Sequence, residues 1–316
     1  MAGIRLAVLA DVHGNLPALE AALDDMTRQG VDRIICLGDL ADRGPYPHEC
    51  VERVRAACHV TIAGDNDLDV LAMANGQAPK GWQESLQFAP LRWTAAHMNG
   101  TDLFFLASLP QQYRLDTGDE PPVRFVHGSP RSPAEPVFED RDLSAADALG
   151  MVHEDVLVAG HTHQPWLVRV GNRVAFNPGS VGQPFNDDPH AQYALLISQR
   201  GKWGVEHRAV PYDVERVREA FVTSGYLAAG GALARACLLT DVTGSNHIMP
   251  FLWHAYRLAA ERGCDGCRVV PDEVWREAAT SWDWDGIAYR GNHEPHDCHQ
   301  RGQRDAERRA KRQPDR

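Results

Sequence analysis

The chain has 316 residues, of which 43% are hydrophobic and 24% are charged, a balance typical of globular proteins. Its formal net charge of −11 argues against binding nucleic acid or an anionic membrane by general electrostatics. No apolar run approaches the roughly 18 residues of a membrane span. The seven cysteines are scattered and odd in number, and we recognise no signal peptide. We therefore expect a reduced, cytoplasmic protein.

Short apolar runs alternate with helical patterns through the first two-thirds of the chain. This order predicts an α/β protein with mixed sheets, since later strands follow one another directly. Helices are predicted at 16–29 and 47–57. The predicted strands are 4–10, 33–37, 60–63, 123–126, 156–159, 166–170, 174–176, 193–198 and 203–210.

The pattern changes near residue 230, after which helices are predicted at 247–262 and 271–281. We predict one domain over 1–230, a helical extension over 231–289 and a polar, disordered tail over 290–316. The extension is the surface on which we would expect a homo-oligomer to form.

Polar residues with metal-binding side chains follow five of the predicted strands. They are Asp11 and His13, Asp39, the loop 64–67, His127, and the pair His161 and His163. Residues just beyond the carboxyl ends of strands converge on one crevice in α/β sheets. Mixed carboxylate and imidazole ligands suit Mn²⁺, Fe²⁺, Zn²⁺ or Co²⁺ better than magnesium. Because these residues outnumber the ligands of one ion, we expect two ions about 3.5–4 Å apart that share a carboxylate.

This ordered set resembles the calcineurin-like metallophosphoesterases. The blocks ADVHGNLPALEAAL, LGDLADRGPYPHECVERV, VHGSP, GHTHQP and NPGSVGQP are similar to those of the family's small bacterial phosphodiesterase branch. The resemblance covers roughly residues 4–215. It implies a double-sheet sandwich flanked by helices, followed here by the helical extension, and a metal-dependent phosphoric ester hydrolase.

The resemblance also implies a set of metal ligands. Asp11, His13, Asp39 and His163 would hold one ion, and Asp39 would bridge to a second ion held by the 64–67 loop, His127 and His161. Manganese is the favoured metal. A hydroxide activated by both ions would attack phosphorus in a phosphodiester or a phosphoanhydride, such as a dinucleoside polyphosphate. The expected partner is thus a small phosphorylated substrate, with a nucleotide as one candidate.

The loop Gly64-Asp65-Asn66-Asp67 departs from the family pattern. That pattern reads Gly-Asn-His-Asp or Gly-Asn-His-Glu, in which Asn binds metal and His lies over the leaving group. The register that keeps Gly64 and Asp67 in frame makes Asp65 the ligand and puts Asn66 in the His position. A slip of one residue would instead keep Asn66 as ligand and put Asp67 in the His position. We favour the first register because it preserves the Gly-x-x-Asp frame.

In neither register does the loop supply a general acid. An amide cannot donate a proton in this role, and Asp67 would be ionised beside the ions. General acid catalysis is typically worth about 10²–10⁴-fold, so leaving groups that need no proton, such as polyphosphates or phenolates, are favoured. His97 or His190 could otherwise fill this role.

Three residues are therefore candidates for contact with the substrate: Asn66, Asp67 and Arg43. Arg43 could donate two hydrogen bonds to a phosphate, or it could pair with Asp42 or Glu49 on the surface. The rival interpretations of the whole chain are a phosphomonoesterase or protein phosphatase of the same fold and a non-catalytic, metal-binding interaction scaffold.

Two motifs near the C-terminus have weaker support. Gly291-Asn292-His293-Glu294 has the family's letters in the wrong place, after the Gly-His-x-His block. Cys264-x-x-Cys267, followed by His293, His296, Cys298 and His299, is either a structural zinc site or a loop with free thiols.

Overall fold

The computed structural model describes residues 3–285, except positions 119, 200 and 265. Its strands are β1 (Arg5–Leu9), β2 (Arg33–Cys36), β3 (Val60–Thr61), β4 (Gln112–Leu115), β5 (Val123–Val126), β6 (Val156–Ala159), β7 (Trp166–Val170), β8 (Arg173–Asn177), β9 (Ala191–Gln199) and β10 (Lys202–Val210). Its α-helices are α1 (Leu16–Arg28), α2 (Pro47–Ala57), α3 (Asp65–Ala74), α4 (Ala89–Ala96), α5 (Gly100–Ser108), α6 (Ala145–Gly150), α7 (Val214–Thr223), α8 (Tyr226–Thr243), α9 (Ile248–Glu261) and α10 (Asp272–Ser281).

The strands form two five-stranded mixed sheets. The first has the order β10-β9-β1-β2-β3 and the second the order β4-β5-β6-β8-β7. Strands β1, β2 and β3 run parallel, as do β5, β6 and β8. Strands β9 and β10 continue the first sheet in antiparallel pairing, and β4 and β7 do so at the edges of the second. The predicted α/β sandwich flanked by helices is confirmed.

Strand β1 is buried on both faces, which explains why its sequence is apolar after Arg5. Successive side chains of a strand point to opposite faces. Leu6 and Val8 pack in the core between the two sheets, together with Phe125 of the second sheet. Ala7 and Leu9 pack in a second core, which includes residues of α1 and α2.

Backbone hydrogen bonds tie together the loops that leave the parallel strands. Asp11 N donates to Gly38 O at 3.1 Å, which links the ends of β1 and β2. Gly160 N donates to His127 O at 2.7 Å, which links the ends of β6 and β5. Val181 N, after β8, donates to Ala10 O, after β1, at 2.9 Å, so the carboxyl ends of strands from both sheets meet in one place.

The helices after Val210 share a separate core. Side chains from all four helices contribute to it, among them Val217 of α7, Tyr226 of α8, Phe251 of α9 and Trp275 of α10. The predicted boundary at residue 230 falls inside α8, beside Gly231, whose φ is +60°. The helical part therefore begins earlier than predicted, at α7, and the division into domains stays a prediction.

Most of the predicted elements lie within two residues of the observed ones, but several elements were missed. These are β4 and the helices α3 to α8. Helix α3 starts inside the loop where we expected ligands on irregular backbone. Helix α8 is apolar on several sides, so it has no single hydrophobic stripe to mark it. Among the described residues, no helix is both long and apolar enough to span a membrane.

The two C-terminal motifs have different outcomes. Cys264 and Cys267 form a disulfide with each other, so the expectation of free thiols there is wrong. The histidines and Cys298 of the zinc hypothesis lie outside the described residues, as do the motif at 291–294 and the predicted tail.

A buried carboxylate on α1 offers a test of how the helix is held to the sheet. Asp25 accepts hydrogen bonds from Tyr193 Oη of β9 at 2.7 Å and from Arg208 Nε of β10 at 2.9 Å. Burial opposes ionisation, but these hydrogen bonds outweigh it and lower the pKa of Asp25. Because the folded-state pKa is below the unfolded one, its stabilisation is fully present above about pH 4 and is lost as the pH falls through the folded value.

We expect Asp25→Asn to lower the free energy of unfolding at pH 7 by about 1–3 kcal/mol. The difference from wild type should shrink as the pH is lowered towards 3. Urea unfolding across this pH range measures both effects, and Asp24→Asn, at an exposed position on the same helix, is the control. A difference that does not change with pH would show that ionisation of Asp25 contributes nothing.

Candidate metal centre

Three of the predicted histidines are fixed in one ring orientation by backbone carbonyls. In each ring Nδ1 is bonded to a carbonyl oxygen: His13 to Asp42 O at 3.0 Å, His127 to Leu37 O at 2.7 Å and His163 to Gln183 O at 2.5 Å. Since Nδ1 carries the proton, Nε2 presents its lone pair to the crevice when the ring is neutral. This is how metal-binding histidines are usually held.

Asp39 lies at the centre of these rings. Its Oδ2 is 3.5 Å from His13 Nε2 and 3.4 Å from His127 Nε2. Asp11 lies beside it, and Asp11 Oδ1 is buried without a hydrogen-bond partner. A buried carboxylate oxygen that lacks a donor is costly, so this atom fits a cation as its partner.

The seven predicted ligand residues form two groups of four. The first is Asp11, His13, Asp39 and His163, and the second is Asp39, Asp65, His127 and His161. Within each group, one ligand atom from every residue lies within 4.8 Å of the others. Asp39 belongs to both groups. The donor set, carboxylate oxygen with imidazole nitrogen, fits divalent transition metals.

The charges of the site also fit bound cations. Burial lowers the pKa of His13 to about 4, although Asp39 opposes this, and it also lowers the pKa of His163. Both rings are therefore neutral, as ligands must be. Burial raises the pKa of Asp11 to about 7. Burial would also lower the pKa of His127, but Asp39 and Asp65 raise it well above the ordinary value. These carboxylates stabilise a positive charge at this position.

The backbone at the site is strained at the ligand residues. Asp11, His13, Asp39, His161 and His163 have φ values of +57°, +49°, +57°, +65° and +57°. Residues other than glycine seldom adopt this left-handed conformation, which costs roughly 1–3 kcal/mol each. The neighbouring hydrogen bonds hold it, since Val12 N and His13 N both donate to Asp39 O, at 2.8 and 2.9 Å.

Glycine lets the 64–67 loop approach Asp39. A Cβ atom on Gly64 would lie 2.0 Å from Asp39 Oδ1, closer than any side chain allows. Gly64 is also the residue that immediately precedes α3. The loop can therefore place the first residue of α3, Asp65, against the centre.

Asp65 is the loop residue that faces the histidines. Its Oδ1 is 3.0 Å from His127 Nε2 and 2.9 Å from His161 Nδ1. Asn66 instead turns to Asp39, donating from N to Oδ1 at 3.0 Å and from Nδ2 to Oδ2 at 2.6 Å. Asp65 therefore occupies the place that the register keeping Gly64 and Asp67 in frame gives to a ligand, and its binding of metal stays a prediction.

Comparison with known families identifies the chain. A family model described as the calcineurin-like phosphoesterase superfamily domain matches residues 4–201. The chain belongs to this family. It is a metal-dependent phosphoester hydrolase.

Its relatives include characterised and uncharacterised proteins. The phosphoesterase is 30% identical over 234 residues to an uncharacterised protein of Methanocaldococcus jannaschii, covering 69% of this chain and 91% of that one. It is 28% identical over 203 residues to the Escherichia coli phosphodiesterase YfcE, covering 61% and 87%. The crystal structure of a metallophosphoesterase from Sphaerobacter thermophilus superposes with a TM-score of 0.59 at 31% identity, covering 72% and 99%.

The Asp67 side chain is hydrogen-bonded to the backbone, whereas the register shifted by one residue put Asp67 in the family's His position over the leaving group. Its Oδ2 accepts hydrogen bonds from Asp39 N at 2.8 Å and Gly64 N at 2.9 Å, and its Oδ1 accepts one from Leu40 N at 2.9 Å. Asp67 is almost fully buried. With both oxygens bound to backbone N–H groups, Asp67 holds the loop against Asp39, and its contact with the substrate stays a prediction.

Asn66 also differs from its predicted role. It was expected to donate to a phosphate oxygen, but its side chain is buried and is bonded to Asp39. The amide therefore braces the carboxylate shared by both groups. In the register that keeps Gly64 and Asp67 in frame, the family's His position is therefore filled by a buried amide bonded to Asp39.

Arg43 lies beside the centre rather than in a surface ion pair. Its positive charge contributes to lowering the pKa values of His13 and His163, and its φ of +76° is also left-handed. In the described part of the chain, its guanidinium makes no ion pair or hydrogen bond with Asp42 or Glu49. Thr94 Oγ1 donates to Asp42 Oδ1 at 3.1 Å, and Arg43 acts on the Asp42 carboxyl through its charge and its backbone N–H.

The segment 177–180 shapes the rim of the site. Asn177 Nδ2 donates to Gly160 O at 2.7 Å, and Ser180 Oγ donates to Asp11 O at 2.8 Å. Sequence reasoning missed Gln183, whose Nε2 donates to Asp241 Oδ1 of α8 at 2.8 Å. Gln183 thus connects His163 to the helical part.

The two histidines considered as substitute acids lie elsewhere. His97 stacks on Trp93, with ring centroids 3.7 Å apart, and its Nδ1 is bonded to Trp93 O at 2.7 Å. His190 Nδ1 is 2.5 Å from Asp188 Oδ1. Neither belongs to the two ligand groups.

Proposed function

We propose that this phosphoesterase hydrolyses phosphodiesters or phosphoanhydrides with two divalent cations. The observation that carries the proposal is the pair of four-residue groups that share Asp39. Asp11, His13, Asp39 and His163 would hold one cation, and Asp39, Asp65, His127 and His161 the other. Mn²⁺ is the favoured metal, because each group combines two carboxylates with two imidazoles.

When bound, two such cations would activate water for attack on phosphorus and neutralise charge on the phosphoryl oxygens. The residues of the chain supply the rest. Nδ1 bonds to backbone carbonyls orient three imidazoles so that Nε2 faces the crevice. Asn66 braces Asp39, and Arg43 is free to donate two hydrogen bonds to a phosphoryl oxygen pair.

Asp65 gives the second group one more negative charge than the family's Asn would. A carboxylate binds a divalent cation more tightly than an amide oxygen does, and it donates more charge to that cation. We expect tighter binding of the second cation and a somewhat weaker Lewis acid.

The leaving group decides which substrates suit the site. Asn66 cannot donate a proton, so a leaving group must either depart as a stable anion or take its proton from another residue. Polyphosphate and phenolate leaving groups meet the first condition. The similarity to the phosphodiesterase YfcE supports a phosphodiester as the substrate. A phosphodiester can carry a leaving group that meets either condition.

A substrate panel tests the proposal. Diadenosine tetraphosphate, a bis-aryl phosphodiester, cyclic nucleotides and an aryl monoester are compared in Mn²⁺, with metal-free buffer as the control. We expect the diester or the anhydride to be hydrolysed faster than the monoester, and chelation to stop the reaction. A faster monoester would favour the phosphomonoesterase interpretation. A protein that binds Mn²⁺ yet hydrolyses nothing would favour the scaffold.

A further inference from the structure

We propose that Asp69 is the general acid that protonates the leaving-group oxygen. The inference rests on the proposed function and deepens it, because it supplies the catalytic group that the 64–67 loop lacks. It also widens the substrate class to phosphodiesters whose leaving group is an alkoxide.

The position of Asp69 follows from the geometry of α3. Asp65 is the first residue of this helix, and Asp69 lies four residues later. Residues four apart occupy the same face of a helix, roughly 5–6 Å apart at Cβ. Because Asp67 fixes the first turn against Asp39 with three backbone hydrogen bonds, the direction of this face is set. Asp69 therefore stands one turn beyond Asp65 on the side of the metal centre.

The surroundings of the Asp69 carboxyl are those of the site. The charged groups that act on it are Asp65, Asp42, Asp39 and Arg43. Its side chain is partly buried. Within residues 3–285 no hydrogen bond or ion pair occupies it, in contrast to Asp67, whose two oxygens are both bonded. Asp69 is thus the carboxyl near the centre that has a free oxygen and access to solvent.

The protonation state suits the role. Burial raises the pKa of Asp69 to about 7, and Asp65, Asp42 and Asp39 add to the increase against the opposing effect of Arg43. Burial is the largest cause, and it does not depend on bound cations. A carboxyl with a pKa near the working pH is neutral often enough to donate a proton.

Hydrolysis of a diester forms one bond to phosphorus and breaks another. The oxygen of water forms a bond to phosphorus, and the bond from phosphorus to the leaving oxygen breaks with its electron pair on that oxygen. The proton of the Asp69 carboxyl passes to the leaving oxygen, which departs as an alcohol. The attacking water releases one proton to solvent, and the Asp69 carboxylate takes up a proton from solvent before the next cycle.

The test is the dependence of the rate on the leaving group. Wild type, Asp69→Asn and Asp69→Glu are compared on methyl aryl phosphodiesters whose leaving groups run from dinitrophenol to unsubstituted phenol. We expect Asp69→Asn to lose about 10²-fold in kcat/KM on the phenyl ester and less than about 3-fold on the dinitrophenyl ester. Asp69→Glu, which keeps the acid, should recover part of the loss. Asp24→Asn, at an exposed position on α1, should match wild type.

Two measurements separate this role from a structural or electrostatic one. Metal content by elemental analysis should stay at the wild-type level in Asp69→Asn. In the metal-free protein, the carboxyl carbon NMR signal that Asp69→Asn removes should titrate near neutral pH. An equal loss for all leaving groups, a signal that titrates near pH 4, or no loss at all would overturn the inference.

If the proposed function is wrong, the comparison of diesters with monoesters gives a different result. If wild type hydrolyses aryl monoesters but no diesters, the proposed function is wrong, and the same leaving-group comparison on the monoesters still tests Asp69. If wild type hydrolyses neither series with Mn²⁺ bound, both proposals are overturned.

Discussion

Replacing Asp39 with Asn should lower kcat/KM for the best substrate by about 10⁴-fold or more, equivalent to roughly 5.5 kcal/mol of transition-state stabilisation. Asp39 is the residue that both ligand groups share. An amide oxygen carries no charge and binds two cations poorly, so the variant should also hold fewer than two Mn²⁺ per chain. Steady-state kinetics at saturating Mn²⁺ and elemental analysis measure the two effects.

Asp42→Asn is a matched control for this variant. Asp42 is a buried carboxylate three residues away, but it belongs to neither ligand group. The carbonyl that holds His13 is unchanged by the substitution, so we expect a loss below about 10-fold. Comparable activity of Asp39→Asn and wild type in the presence of Mn²⁺ would contradict a shared carboxylate.

Replacing His161 with Ala should remove the second cation while leaving the first. His161 belongs to the second group only, and its side chain is 20% exposed at the rim, so the fold should tolerate the change. We expect the Mn²⁺ content to fall from two to one per chain and kcat/KM to fall by about 10³-fold, since one cation cannot stabilise both the nucleophile and the phosphoryl charge. Calorimetric titration with Mn²⁺ gives the stoichiometry directly.

His190→Ala is the histidine control. The His190 side chain is 45% exposed and lies against Asp188, outside both groups. We expect two cations and wild-type kinetics. If His161→Ala also kept two cations and full activity, His161 would not be a ligand, and the second site would need another composition.

The ligand residues could be predicted because their signal is local. Asp11, His13, Asp39, His127 and His163 each follow a strand, and the carboxyl ends of strands meet in this class of fold. The elements around them have ordinary patterns, and β5, β6, β7 and α2 were predicted with the bounds that the structure shows.

The roles of the residues in the 64–67 loop could not be predicted from local sequence. Three acidic or amide side chains in a row could each bind metal, touch substrate or brace the backbone. The role that each side chain takes depends on which backbone N–H groups can donate to the loop. These groups belong to Asp39 and Leu40, more than 20 residues away in the sequence. The position of Asp69 near the centre could not be predicted for a related reason, because it depends on α3 beginning at Asp65.

The sequence by itself determined the family, the mixed α/β class and the identity of the residues that gather at the strand ends, because strand patterns and ligand chemistry are both encoded over a few neighbouring residues. Only the tertiary structure decided that Asp65 faces His127 and His161, that Asn66 and Asp67 support Asp39, and that Arg43 and Asp69 lie near enough to the same centre to interact with its charges. These outcomes depend on distances between segments far apart in the chain, which are set by the packing of the two sheets and α3 and not by local sequence.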